Sequence, residues 1–275
     1  MPQQSSKATA ECHWLPFDRF AVEANCRSDR GRIRPLNEDS VCVVIPENPE
    51  IFNAKGVLMV VADGMGGHEG GEVASSMAVE RVKAQYYCGD SNPARALAAA
   101  FNRANQDVYD YARSHPKLAG MGTTCTAVAV VGGRAWLAHV GDSRIYLVRE
   151  GGAYRMTQDH SATMELVNRG LLTLAEADHH EERNVILRAL GTHERLEVAT
   201  WKNPFPLRAG DWMVLCSDGL YQTIPDDELA DLCTRQGTSA QACDALLRAA
   251  LDRDGTDNIT VAALYVSPAS GEVTK

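Results

Sequence analysis

Short apolar runs rich in β-branched residues recur along this chain, and their order restricts the fold more than any other feature. Residues 40–45 (SVCVVI), 56–62 (GVLMVVA), 125–131 (CTAVAVV), 134–140 (RAWLAHV), 144–149 (RIYLVR), 211–217 (DWMVLCS) and 259–266 (ITVAALYV) have strand length and strand composition. Gly132 and Gly133 separate the third run from the fourth, the spacing of a tight hairpin. The sequence GDS at 141–143 turns the fourth run into the fifth. Helical signals lie between the strands. In 93–114 the apolar positions 94, 97, 98, 101, 104, 108 and 112 follow a helical period, with Asn92 as cap and Pro93 in the first position. Residues 72–88 and 239–253 also read as helices, the latter opened by Thr238 or Ser239 and stopped by Gly255. Two short helices are predicted over 161–170 and 173–178. Strands in hairpin order, with helices in pairs between them, predict antiparallel sheets with helices packed outside, and not a doubly wound βαβ fold.

A chain of 275 residues, 45% hydrophobic, is long enough to bury a core without disulfides or structural metal. The formal net charge of −9 argues against a nucleic-acid partner, which would call for a basic face. The eight cysteines are scattered with no CxxC pair, and several sit inside apolar runs. Reduced, buried thiols in a cytoplasmic protein are the expectation, not a disulfide framework or a zinc site. No signal peptide and no membrane span is legible. Residues 1–20 are read as an unstructured segment, 21–267 as one domain and 268–275 as a tail.

Aspartates stand at the ends of the apolar runs. Asp39 enters the first, Asp63 leaves the second in the stretch VADGMGG, and Asp142 lies in the GDSR turn. Asp218 leaves the run before SDG, and Asp257 enters the last. Any one of them is accounted for by turn chemistry, since Asp bonds its own backbone. Five gathered at one end of a sheet would repel one another unless a cation neutralised them. Oxygen donors select Mg²⁺ or Mn²⁺, and two such cations can share a carboxylate, generate a hydroxide and clamp a phosphoryl oxygen. The glycine-rich turn after Asp63 lets backbone approach closely, and the Gly64 carbonyl is itself a candidate ligand. Arg30, Arg32 and Arg34 precede Glu38 and Asp39. An arginine can fork onto a phosphate; Arg30 and Arg32 read as a solvated loop.

The motifs SDRGRIRPLNEDS, VVADGMGGHEGGEVAS, GTTCTAVAVV, AHVGDSRIYLVREG, TQDHS, ILRALG, LCSDGL and DNITVAAL occur in the order seen in the metal-dependent type 2C Ser/Thr protein phosphatases. Across about residues 22–266 the chain resembles the compact bacterial form of that family. The resemblance implies an α+β fold, a central antiparallel β-sandwich flanked by helices on both sides in four layers, with a small flap over about 158–190. It implies two tightly bound Mn²⁺ or Mg²⁺ ions, bridged by Asp63, with Gly64 contributing its carbonyl and Asp218 and Asp257 completing the spheres. Glu38 and Asp39 would act mostly through metal-bound water, Asp142 and Asp218 would bind a weaker third ion, and Arg34 would hold the phosphate.

The function so implied is hydrolysis of phosphoserine and phosphothreonine in proteins by a metal-activated water, opposing a partner Ser/Thr kinase. Two alternatives stand beside it: a metal-dependent hydrolase of small phosphate monoesters, and a catalytically dead binding module of the same fold. Some family members carry a histidine right after the Asp-Gly step as the proposed general acid. Here that position is Met65, which cannot donate a proton. The acid is then a metal-bound water, His68, His179 or His180, while His139 reads as a satisfied sheet residue.

Overall fold

The computed structural model describes residues 15–17, 20–66 and 70–268. Most of the 1–20 segment, the tail after residue 268, Cys12 and the candidate acid His68 lie outside the described residues. The chain opens with β1 (Leu15–Phe17), β2 (Phe20–Asp29), β3 (Asp39–Val44), α1 (Pro49–Lys55) and β4 (Val57–Met65). Helices α2 (Gly70–Cys88) and α3 (Pro93–Ser114) follow, then β5 (Gly122–Thr123), β6 (Cys125–Val131), β7 (Arg134–Val140), β8 (Arg144–Arg149) and β9 (Gly152–Arg155). The short helices α4 (Ala162–Asn168) and α5 (Leu174–Asp178) precede β10 (Ala199–Thr200), β11 (Phe205–Pro206) and β12 (Trp212–Cys216). The chain closes with α6 (Asp218–Tyr221), α7 (Asp226–Thr234), α8 (Ser239–Arg253) and β13 (Ile259–Pro268).

Two antiparallel sheets form. One runs β1-β2-β13-β12-β8-β9; the other runs β10-β7-β6-β4-β3, with β11 on β7 and β5 on β4. Alternation along β4 shows why they stack. Val57, Met59 and Val61 point between the sheets, where they meet Ala24, Leu147, Leu215 and Leu264 of the opposite sheet. Leu58, Val60 and Ala62 point the other way, against Val82 and Tyr86 of α2 and Leu97 and Phe101 of α3. A strand buried on both faces reads as a continuous apolar run, and β4 does. On the far side Val214, Val261 and Ala263 pack on Leu229 of α7 and Leu246 of α8. The layers are helix, sheet, sheet, helix.

Helix α3 keeps the sequence-read bounds. Asn92 accepts the Arg95 N–H at 3.1 Å, and the stripe Leu97, Phe101, Ala104, Val108 and Ala112 is buried. Strand β2 is absent from the sequence reading, because Glu23 and Asn25 interrupt its apolar run. Both are buried: Glu23 accepts the Ser239 N–H at the start of α8 at 2.8 Å, and β2 pairs with β13 over its whole length. Leu15–Phe17 pair with the start of β2, although the sequence reading left 1–20 unstructured. Helices α1, α6 and α7 were likewise unread. The described cysteines are free thiols; Cys26, Cys125, Cys216, Cys233 and Cys243 are buried, Cys42 is half-buried and Cys88 exposed.

Candidate metal centre

Strand pairing assembles the carboxylates. The register of β3 on β4 sets Asp39 opposite Asp63. Sequence reading ended the second run at Ala62, but β4 continues to Met65 because Gly64 pairs with Thr123 of β5. Asp63 is thereby clamped by its backbone: its N–H donates to Thr124 Oγ1 at 2.9 Å, and its carbonyl accepts from Thr124 N at 2.8 Å and Thr123 Oγ1 at 2.9 Å. No side chain fits at Gly64, where a Cβ would collide with the Gly71 and Glu38 carbonyls. From the other sheet, β12 delivers Ser217 and Asp218, and Ser217 Oγ donates to Asp39 Oδ2 at 2.7 Å. Asp142 lies between β7 and β8, after Gly141, whose φ of 108° suits only glycine.

Arg34 donates from Nη2 to Asp257 Oδ2 at 2.7 Å. Its loop is stapled by Asn258, whose Nδ2 donates to the Arg30 and Leu36 carbonyls and whose Oδ1 accepts the Glu38 N–H. Arg32 pairs with exposed Asp252 at 3.3 Å. Asn258, Ser217 and Thr124 were missed by the sequence reading. Their partners are more than 60 residues away in sequence, so no local signal marks them.

The cluster is electrostatically strained. Burial, and then Asp39, Asp218, Asp142 and Asp257, hold the Asp63 carboxyl well above the ordinary value. Burial lifts Asp39 to about 7, against hydrogen bonds from Thr260 and Ser217. Burial and Asp257 lift Asp218 to about 6, and burial with Asp218 lifts Asp142 to about 8. Asp39 Oδ1, Asp142 Oδ1 and Glu38 Oε1 are buried without a hydrogen-bond partner. Buried acceptors of this kind call for an unseen donor or cation. Oxygen-only donors with excess negative charge fit Mn²⁺ or Mg²⁺. Among the described residues no three Asp, Glu, His or Cys side chains form a ready cage. Coordination would therefore be completed by the Gly64 carbonyl and solvent.

Among the histidines, His160 bonds the turn that carries Asp142, its Nδ1 accepting the Gly141 N–H at 3.1 Å. His139 is buried, with Nδ1 at 2.8 Å from Thr126 Oγ1, and burial depresses it to about 3. His179 follows α5, and His180 Nδ1 accepts the Glu182 N–H.

Asp142 gives a test of the strain. A carboxyl with a higher pKa folded than unfolded costs stability when ionised. That cost begins above the ordinary value of 3.8 and is complete above about 8. Asp142→Asn should match the metal-free wild-type melting temperature near pH 4 and exceed it clearly at pH 8. Equal melting temperatures at both pH values would show that neither burial nor Asp218 disfavours the ionised Asp142.

The profile of the family described as Protein phosphatase 2C matches residues 50–255. The chain belongs to the protein phosphatase 2C family. By that membership it is a serine/threonine protein phosphatase. The serine/threonine phosphatase stp of Listeria innocua is 36% identical over 250 residues, covering 87% of this chain and 94% of that protein. The crystal structure of the Mycobacterium tuberculosis phosphatase PstP/Ppp superposes with a TM-score of 0.79 at 35% identity, covering 90% of this chain and 99% of that one. A PstP catalytic domain in complex with two manganese ions superposes with a TM-score of 0.77 at 34% identity, covering 90% and 99%. The four-layer fold expected from the sequence is the fold of this phosphatase family.

Proposed function

We propose that this phosphatase is metal-dependent, with Asp39, Asp63, Gly64, Asp218 and Asp257 holding two Mn²⁺ or Mg²⁺ ions. Glu38 acts through water, and Asp142 with Asp218 holds a third, weaker ion. The observation that carries the reading is the set of buried, partnerless carboxylate oxygens on Asp39, Asp142 and Glu38. When bound, the cations supply Lewis acidity, acidifying a water and polarising the phosphate. The chain supplies the rest. Thr123 and Thr124 fix Asp63, Ser217 orients Asp39, and Asn258 holds the loop that carries Arg34 over the site. Arg34 keeps donors free beyond the one it gives Asp257, and these receive the phosphate oxygens. Met65 has no proton to donate to the leaving alkoxide, and we assign that proton to a water at the site.

Phosphoserine and phosphothreonine in proteins are the proposed substrates, in a cytoplasmic role opposing a Ser/Thr kinase. Exposed apolar residues favour a protein over a small ester. Ile33 and Leu36 flank Arg34. Leu171, Leu174, Val185 and Leu187 lie on the 158–190 segment, which we read as the flap. That segment reaches the site at a polar cavity of about 220 Å³ lined by Arg183, Asn184, Asp218, Gln222 and Asp257. No described helix is long and apolar enough to cross a membrane.

Purified protein should hydrolyse a phosphothreonine peptide and p-nitrophenyl phosphate with Mn²⁺, lose both activities in EDTA, and recover them when Mn²⁺ is restored. Equal turnover in EDTA would refute the metal-dependent reading. Hydrolysis of p-nitrophenyl phosphate alone would point to small esters.

A further inference from the structure

We propose that the flap and the metal centre are coupled through α6, the single helical turn opened by Asp218, with Tyr221 and Gln222 as the positioning residues. The proposal rests on Asp218 belonging to the centre proposed above. Gln222 lies one turn beyond Asp218, its N–H bonded to the Asp218 carbonyl at 2.9 Å. Its side-chain amide carries two hydrogens. One goes to Asp218 Oδ2 at 2.9 Å and the other to Asn184 Oδ1 of the flap at 3.3 Å. The reverse amide orientation would set oxygen against a carboxylate, so Nε2 faces Asp218.

A second contact grips the same turn. The Arg144 guanidinium lies 3.7 Å from the Tyr221 ring centroid. It is held by Asp159 at 2.9 Å and stands 3.6 Å from Asp178 of the flap helix α5. Arg144 follows Asp142 by two residues, and Tyr221 follows Asp218 by three. One buried cation therefore touches the flap and the turn that carries a metal ligand. A four-residue helix has almost no rigidity of its own, so side-chain contacts set its orientation. The flap-side partners Asn184 and Asp178 are exposed, which keeps each contact weak. The same Gln222 amide thus bonds the Asp218 carboxylate and the flap, so the position of one bears on the other.

Coupling of this kind is reciprocal, so each variant is read at the opposite end. Asn184→Ala cuts the flap side, and Tyr221→Leu cuts the α6 side; neither changes charge. Mn²⁺ affinity is measured by titration calorimetry, and flap opening by the rate of tryptic cleavage after Arg183, identified by mass. Asn184→Ala should weaken Mn²⁺ binding, and Tyr221→Leu should speed cleavage, each by about two- to tenfold, the worth of one net hydrogen bond or cation–π contact. Tyr221→Phe keeps the ring under Arg144 and should behave as wild type in both assays. Unchanged Mn²⁺ affinity in Asn184→Ala overturns the proposal, and so does unchanged cleavage in a folded Tyr221→Leu. Should Tyr221→Leu not fold, Asn184→Ala decides alone, because its site is exposed. Neither assay uses substrate. Coupling in a protein that hydrolyses no phosphothreonine peptide would sink the activity reading and leave the coupling standing. Mn²⁺-dependent turnover without coupling would do the reverse.

Discussion

Asp63→Asn is expected to abolish tight Mn²⁺ binding and to lower turnover of a phosphothreonine peptide by about a thousandfold. The side chain faces Asp39, Asp142, Asp218 and Asp257, all of which act on its ionisation. Replacing its charge with an amide removes the donor that both cations would share. Metal-ion catalysis is worth several kcal/mol, and each 1.36 kcal/mol is a factor of ten, so about 4 kcal/mol gives the stated loss. The backbone clamp from Thr123 and Thr124 does not involve the carboxylate and survives the change. The variant should therefore fold, and its metal-free form should melt above wild type at pH 8, because the burial and neighbouring carboxylates that hold Asp63 above its ordinary value no longer oppose folding. Calorimetry showing two tightly bound Mn²⁺, with kcat/KM within tenfold of wild type, would remove Asp63 from its bridging place.

Arg34→Ala should raise KM and lower kcat/KM by roughly ten- to a hundredfold, the range of a charge-assisted contact worth about 1.5–3 kcal/mol. The ion pair with Asp257 sharpens the expectation for metal. Arg34 is a cation 2.7 Å from a carboxylate of the cluster, and that hydrogen bond is the main cause holding its own protonation. Deleting it leaves the cluster more negative, so Mn²⁺ affinity should stay equal or rise. Two other results are distinguishable. A fall in Mn²⁺ affinity would make Arg34 a support for Asp257 and not a phosphate ligand. Unchanged kinetics would make it a surface residue.

Much of the fold was legible because its signals are local. Helix α3 carries its own cap, its own proline and a buried stripe at helical spacing, so its limits follow from adjacent residues. The β6–β7 hairpin announces itself through Gly132 and Gly133, both at positive φ. Strand β2 was not legible, because Glu23 and Asn25 look like surface residues until α8 and β13 cover them. Leu171, after α4, and Leu174, at the start of α5, lie exposed, which their hydrophobicity alone does not announce. The same limit applies to the site. Aspartates at the ends of apolar runs can be picked out one by one, and their order along the chain carries the family resemblance.

What the sequence alone carried was local: the apolar runs that became β3, β4, β6, β7, β8, β12 and β13, the bounds of α3 and α8, and the aspartates at the ends of the runs. Periodicity, caps and Asp-Gly steps are written within a few residues of the features they specify. Only the tertiary structure decided that Asp39 stands opposite Asp63, that Ser217 reaches Asp39, that Asn258 pins the Arg34 loop, and that Arg144 bridges the flap to α6. These depend on the register between strands far apart in the chain. One residue of slip would turn Asp39 or Asp63 to the opposite face of its strand, with no change in composition to reveal it.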